Sequence, residues 1–317
     1  MNEPLISVLV LTYHPNKDAL FSTLRSVVNQ KDCDFELIVT DDGSDDFFEQ
    51  EIRSFLDNWG GKYQILPHAR NQGTVANLLD AVHSAHGKYI KPISPGDYLY
   101  DDTTLRDVAA FMEQKQAAAV FGKMMFYTYA PELRVKNLVF PYFDGIYHAD
   151  PYSSQKAVKY QMVFSDFICG ASAFYEAKAL EAGLKTIAPA VRYIEDAVFQ
   201  LFALQGVRIY GIDRLVVWYE HGSGISTKQT GQGFTRIDED FYNFYRLMAE
   251  KFPKNSAAQR AFRLWELRKN STKTKQTLHK LRPDKILFSL RIRLRKKALK
   301  LADYDDKFFR QCQIDGM

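Results

Sequence analysis

The sequence predicts an α/β fold, a mostly parallel sheet flanked by helices with a basic helical extension at its C-terminal end. Three observations carry this expectation. Short apolar runs alternate with helix-period segments through the first hundred residues. Each run ends in a polar cluster. The last sixty residues are visibly more basic than the rest.

Residues 6–11 are an apolar run with β-branched members, as a strand buried on both faces requires. Residues 18–30 follow with Leu20, Phe21, Leu24, Val27 and Val28 at helical spacing. A second strand over 35–39 runs into Asp41, Asp42, Gly43, Ser44, Asp45 and Asp46, a polar turn cluster. Residues 48–58 read as helix and 63–66 as a third strand. Residues 74–85 are a helix with Val75, Leu78, Leu79 and Val82 on one face. A fourth strand over 89–93 precedes Ser94-Pro95-Gly96-Asp97. Such alternation means right-handed crossovers between parallel strands. Ligands bind outside the carboxyl ends of such strands, so the polar residues just beyond them are the ones to inspect.

The middle is less regular. The pattern predicts a helix over 104–116, strands over 118–129 and 167–175, and an aromatic-rich loop over 140–152. Glu195-Asp196 opens a helix reaching about 205, and strands follow at 207–210 and 215–219. Residues 222–233 are rich in Gly, Ser and Thr and read as a mobile loop. From about residue 238 onward the chain reads as helices of increasing positive charge.

Composition narrows the function classes. With 46% hydrophobic and 25% charged residues, the chain is globular rather than disordered. A formal charge of +4 does not indicate nucleic-acid binding, and no recognition motif is present. Cys33, Cys169 and Cys312 are widely spaced, which argues against a disulfide framework or a zinc site and fits a reducing compartment. The N-terminal run lacks the flanks of a signal peptide and is too short to span a bilayer. A cytoplasmic protein is expected, with any membrane contact peripheral.

In chain order, residues 7–13, the helix ending Ser26-Val27-Val28-Asn29-Gln30, residues 36–46, Asn71-Gln72-Gly73, residues 87–90, the Asp97 turn and Glu195-Asp196 make a series. Together they resemble family 2 glycosyltransferases of the GT-A fold over about residues 5–225. The resemblance implies a catalytic domain over 1–235, with a nucleotide-binding half (1–100) and an acceptor-binding half (101–235). Residues 236–317 would form the helical basic region. It implies inverting transfer of a sugar from a nucleotide-diphosphate sugar, a UDP-sugar by preference, to a glycan or lipid-linked acceptor. Cell-surface polysaccharide, lipopolysaccharide or capsule assembly is the implied setting.

Site roles follow from the resemblance. Asp42 accepts a hydrogen bond from the donor base, framed by Asp41, Thr12 and Tyr13, and the Tyr13 ring offers a stacking face. Asn71 and Gly73 precede a helix whose N–H groups suit phosphate, although an ordinary turn and cap reads equally well. Many relatives carry an arginine in the next turn; Val75, Ala76, Asn77 and Leu78 stand there instead. Asp97 is the candidate ligand for Mg²⁺ or Mn²⁺, with His221 as a second. The family's Asp-x-Asp-Asp is reduced here to Ser94-Pro95-Gly96-Asp97. Asp196 is the expected catalytic base, with Glu195 positioning the acceptor or helping to hold the loop. Residues 140–152 and Tyr175 are candidate sugar-stacking aromatics, a core role being the commoner one for such residues.

Residues 282–300 hold eight basic side chains against Asp284, with aliphatics three or four apart. That is the pattern of an amphipathic basic helix suited to an anionic membrane surface. A solvated helix packed on the domain is the plainer alternative. Two other functions compete. A nucleotidyltransferase would need a glycine-rich basic loop where Leu11-Thr12-Tyr13-His14-Pro15 stands. A non-catalytic nucleotide-binding scaffold is suggested by the carboxylates missing at Ser94 and Gly96.

Overall fold

A computed structural model describes residues 3–129, 133–137, 141–221, 235–270, 282–298 and 303–313. The glycine-rich stretch expected to be mobile, residues 222–233, lies outside the described residues.

Four strands build the parallel half of the sheet: β1 (Ile6–Thr12), β2 (Phe35–Asp41), β3 (Tyr63–Pro67) and β4 (Tyr89–Ile93). They lie in the order β3-β2-β1-β4, every pair parallel. All residues of β1, β2 and β4 are buried, so their apolar runs reflect cover on both faces. Helices α1 (Lys17–Val28), α2 (Glu49–Trp59) and α3 (Thr74–Ser84) make the crossovers. Asn16 starts α1 by accepting the Ala19 N–H at 3.0 Å.

The sheet continues past β4 as β8-β6-β9-β5. These are β5 (Tyr98–Leu99), β6 (Ala119–Tyr129), β8 (Ala173–Glu176) and β9 (Ile209–Glu220), with β7 (Leu133–Asn137) paired to β6. Here antiparallel pairs enter: β4 with β8, β8 with β6, and β9 with β5. The two strands expected at 207–210 and 215–219 are one long strand, β9, whose register against β6 shifts around Lys123. The strand expected over 167–175 shortens to β8, because Gly170–Ser172 forms a 3₁₀ turn.

Helices α4 (Thr104–Lys115), α5 (Gly145–His148), α6 (Ser154–Val158), α7 (Ala177–Ile187) and α8 (Val198–Gln205) surround this half. Among the described residues the core has two large apolar clusters, with Leu9 and Ile38 in one and Val8 and Val39 in the other, and a smaller one around Tyr98, Tyr127 and Trp218. The aromatic-rich segment contains α5, and Tyr147 is buried in the core.

Among the described residues four further helices follow: α9 (Arg236–Lys251), α10 (Ser256–Asn270), α11 (Pro283–Ala298) and α12 (Lys307–Gln311). They pack into the preceding fold. Phe309 of α12 is fully buried, with its ring 4.6 Å from Trp218, 4.9 Å from Tyr127 and 5.1 Å from Tyr98. Among the described residues, no helix is long and apolar enough to cross a membrane.

Candidate active site

The loop after β2 sits on a knot of hydrogen bonds. The Asp41 carboxylate accepts from Thr12 Oγ1 at 2.8 Å, Ser44 Oγ at 2.7 Å and the Ser44 N–H at 2.7 Å. Thr12 and Asp41 are therefore internal to the fold. Asp42, next in the chain, accepts from the Gln72 N–H at 2.6 Å and the Gly73 N–H at 2.9 Å, one on each oxygen. These two N–H groups lie just ahead of α3, whose own N-terminal N–H groups are the candidate phosphate donors. Of the latter, the Val75 N–H goes to the Arg192 carbonyl at 3.0 Å. The Asn71-Gln72-Gly73 segment is thus the turn-and-cap alternative, tied across to Asp42. Each carboxylate oxygen of Asp42 keeps capacity for a second donor. Gly43 is required here: its φ is +77°, and a Cβ would meet the Arg70 carbonyl carbon at 2.4 Å. Tyr13 is 48% exposed at the mouth of this loop, its ring free of the core.

Arg192 spans the gap to the next group. Its Nη2 donates to the Asn71 carbonyl and to Asn71 Oδ1, both at 2.9 Å. Asp240 of α9 accepts the Arg192 and Tyr193 N–H groups at 2.9 Å and 2.5 Å. This fixes the turn that leads into Glu195–Ala197, a 3₁₀ turn ahead of α8 rather than the helix start expected. Neither Arg192 nor Asp240 was singled out by sequence, because their partners lie far along the chain.

Glu195 and Asp196 are half-buried side by side. Burial raises Asp196 to about 6, opposed by the Gly170 N–H that donates to it. Burial, then the Asp196 charge, pushes Glu195 up to about 8. Gly170 lies against both; a Cβ there would stand 3.3 Å from Glu195 Oε1. Lys91 sets the position of this turn. Fully buried in β4, its ammonium donates to the Ala171 carbonyl at 2.5 Å and lies 4.8 Å from the Phe174 ring centroid. Burial lowers Lys91 to about 7, partly offset by Asp97.

Asp97 is 8% exposed and burial raises it to about 7. Thr23 Oγ1 accepts the Gly96 N–H at 3.0 Å and donates to the Asp97 carbonyl at 2.8 Å, pinning the turn to α1. The Glu220 N–H donates to Asp97 Oδ1 at 3.2 Å. The Glu220 side chain lies over Gly96, where a Cβ would meet its Oε2 at 2.3 Å. A carboxylate thus fills the space of a side chain at position 96, supplied by β9 instead of the turn. Sequence reasoning passed over Glu220, although it stands beside His221. His221 is exposed and is held through its N–H to the Tyr127 carbonyl at 2.9 Å.

Asp97 and Asp196 share neighbours: the charges of both act on Cys169 and on Tyr219. Both therefore lie in the neighbourhood of Cys169 and Tyr219, beyond the carboxyl end of β4. Tyr175 is only 2% exposed and packs in the core with Phe199, so it is a core residue rather than a sugar-stacking face.

Among the described residues, no three His, Cys, Asp or Glu side chains are gathered into a metal cage. The donor set still fits a hard cation that takes part of its coordination from a ligand. Asp97 offers a buried carboxylate oxygen, and the Glu220 carboxylate lies beside it.

A family model described as glycosyl transferase family 2 matches residues 7–184, more than half the chain. The chain belongs to this family. An uncharacterized glycosyltransferase of Methanocaldococcus jannaschii is 30% identical over 97 residues, covering 31% of this chain and 33% of the relative. A PGL/p-HBAD biosynthesis glycosyltransferase of Mycobacterium tuberculosis is 29% identical over 126 residues, covering 39% of this chain and 48% of the relative. The matches span between a third and a half of those relatives. Among solved structures, S. aureus TarS in complex with UDP-GlcNAc matches with a TM-score of 0.58 at 16% identity, over 90% of this chain and 79% of that one. A mannosyltransferase from Pyrobaculum calidifontis, in complex with GDP-Man and Mn²⁺, gives 0.56 at 12% identity over 94% and 87%. At these identities the likeness is one of fold, and the fold of this family 2 chain is GT-A.

Proposed function

We propose that the protein is an inverting glycosyltransferase that moves a sugar from a UDP-sugar to the hydroxyl of a glycan or lipid-linked acceptor. What supports the reading is that the charges of Asp97 and Asp196 both reach Cys169 and Tyr219, while Arg192, just ahead of Asp196, bonds Asn71 in the segment tied to Asp42. Asp42 receives the base N–H with the lone pairs its two backbone donors leave free, and Tyr13 stacks on the ring. Asp196 accepts the acceptor proton as the acceptor oxygen bonds to the anomeric carbon. The diphosphate leaves from the opposite face with the electrons of the broken bond. Glu195 and the Gly170 N–H hold Asp196 in position. Asp97 and Glu220, with His221 beside them, would hold Mg²⁺ or Mn²⁺, which when bound neutralises charge on the departing diphosphate. The 1–100 and 101–235 halves divide donor from acceptor in this scheme.

The scaffold alternative has less support, because Glu220 supplies a carboxylate at the place where Gly96 has none. The test is a panel of nucleotide-sugars scored for donor hydrolysis, with calorimetric titration of UDP in the presence and absence of Mn²⁺. UDP-sugar hydrolysis and metal-enhanced UDP affinity are expected. Metal-indifferent binding without hydrolysis of any donor would make the protein a scaffold.

A further inference from the structure

Helix α11 presents its aliphatic side outward. Ile286 is 41% exposed, Leu287 61%, Leu290 47% and Leu294 69%. With 3.6 residues per turn, these four positions fall on a single stripe along two turns and more. Opposite them, Phe288 is buried: its ring stacks on Phe164 at 4.5 Å and meets Phe143 at 5.2 Å and Tyr160 at 5.7 Å. Ion pairs lock the same inner side. Arg295 reaches Asp144 at 2.5 Å, and Asp284 receives Arg260 at 2.6 Å and Arg282 at 2.9 Å.

This orientation is the reverse of a helix that merely packs on a domain, which buries its leucines and shows its charges. Here an aromatic anchor and ion pairs fix the helix, and those contacts hold the leucines in water. The stripe is edged by exposed arginines, Arg291 along one side and Arg293 along the other. Over its 16 residues the helix carries six basic residues, Lys285, Arg291, Arg293, Arg295, Lys296 and Lys297, against one acid, Asp284. An apolar strip bordered by guanidinium groups is complementary to acyl chains beneath anionic headgroups. A protein partner would present its own apolar groove and would not need cations on both borders.

We infer that α11 docks flat on an anionic lipid bilayer, inserting Ile286, Leu287, Leu290 and Leu294 while Arg291 and Arg293 engage the headgroups. The anchor of α11 lies on residues 143–164, and Asp166 accepts the Tyr142 and Phe143 N–H groups at 2.6 Å and 3.1 Å. That segment runs straight into the Gly170 turn that donates to Asp196. The docked helix is thereby packed on the segment that continues into this turn. The inference deepens the transferase reading by assigning the acceptor to a lipid-anchored class.

The experiment is sedimentation of the full chain with vesicles of phosphatidylcholine, with and without phosphatidylglycerol, and no donor sugar present. The protein should pellet with the anionic vesicles and stay in solution with the neutral ones. Leu287→Ser/Leu290→Ser/Leu294→Ser, and separately Arg291→Glu/Arg293→Glu, should each weaken partitioning by roughly tenfold or more. Donor hydrolysis should be unchanged in both, since none of these residues touches the site. Failure of the wild-type chain to bind anionic vesicles, or unaltered binding by the triple-serine variant, would overturn the inference. So would a dimer in solution that the serine variant dissolves, which would assign the stripe to a second copy. Vesicle binding is read without turnover, so it can fail while the transferase reading stands, and the reverse.

Discussion

Two groups of acids occupy the same sheet edge and differ in how they are satisfied. Asp41 and Asp42 together accept five hydrogen bonds, from Thr12, Ser44 (twice), Gln72 and Gly73. Asp97, Glu195 and Asp196 are taken from water with far fewer donors, and burial raises all three. A carboxylate held by several fixed donors is set as an acceptor, and its remaining lone pairs can orient whatever binds it. A carboxylate desolvated without compensation is primed to take a proton or a cation. In the proposed scheme the first group serves recognition and the second chemistry.

The sharpest way to break this division is Asp196→Asn, which keeps the shape and removes the base. Transfer should fall by about 10³-fold while UDP affinity stays within about twofold, read by UDP release with acceptor and by calorimetry. Activity within tenfold of wild type would move the base elsewhere. Asp42→Ala should act on the other side of the division. It strands two backbone donors and removes the base contact, so donor affinity should weaken by roughly ten- to a hundredfold with a smaller change in kcat. Equal losses in both parameters would place Asp42 with the chemistry.

Acidity offers a third test. A base works only when ionised, and Asp196 is raised to about 6 by burial. The rate should therefore be lost as pH falls through about 6, approaching tenfold per unit below it. An acid limb centred near 4 would mean Asp196 is not the group titrating. The smallest expected effect is that of Asp240→Ala. Freeing the Arg192 and Tyr193 N–H groups should lower kcat by about fivefold and leave UDP affinity alone. A change confined to UDP affinity would put the Arg192 turn on the donor side.

The parallel half of the sheet is legible in sequence because its signals are local. The strands at 6–11, 35–39 and 89–93 announce themselves as buried apolar runs, and their polar ends fall where the sheet ends. The second half was not, for physical reasons. Glu220 reaches the Asp97 turn across 123 residues, and Arg192 reaches Asn71 across 121; no periodicity encodes such pairs. Tyr175 looked available because aromatic residues suit both cores and sugars, and only burial separates the two uses. The 167–175 segment was read as one strand because its composition is apolar. Its actual turn depends on an ammonium from another strand, Lys91.

Phe309 carries a practical consequence for anyone who would trim this protein. Its ring is the keystone of an aromatic vault made with Tyr98, Tyr127 and Trp218, and Tyr127 in turn hydroxyl-bonds the carbonyl of Gly96. Cutting the chain before α11 to remove the helix with the exposed apolar stripe would also pull out this stone. Emptying such a site costs about 3–5 kcal/mol, enough to slacken the turn that carries Asp97. A shortened protein that floats free of vesicles and has lost its activity would report a collapsed vault, and only point changes on the outer stripe can separate where the enzyme sits from whether it works.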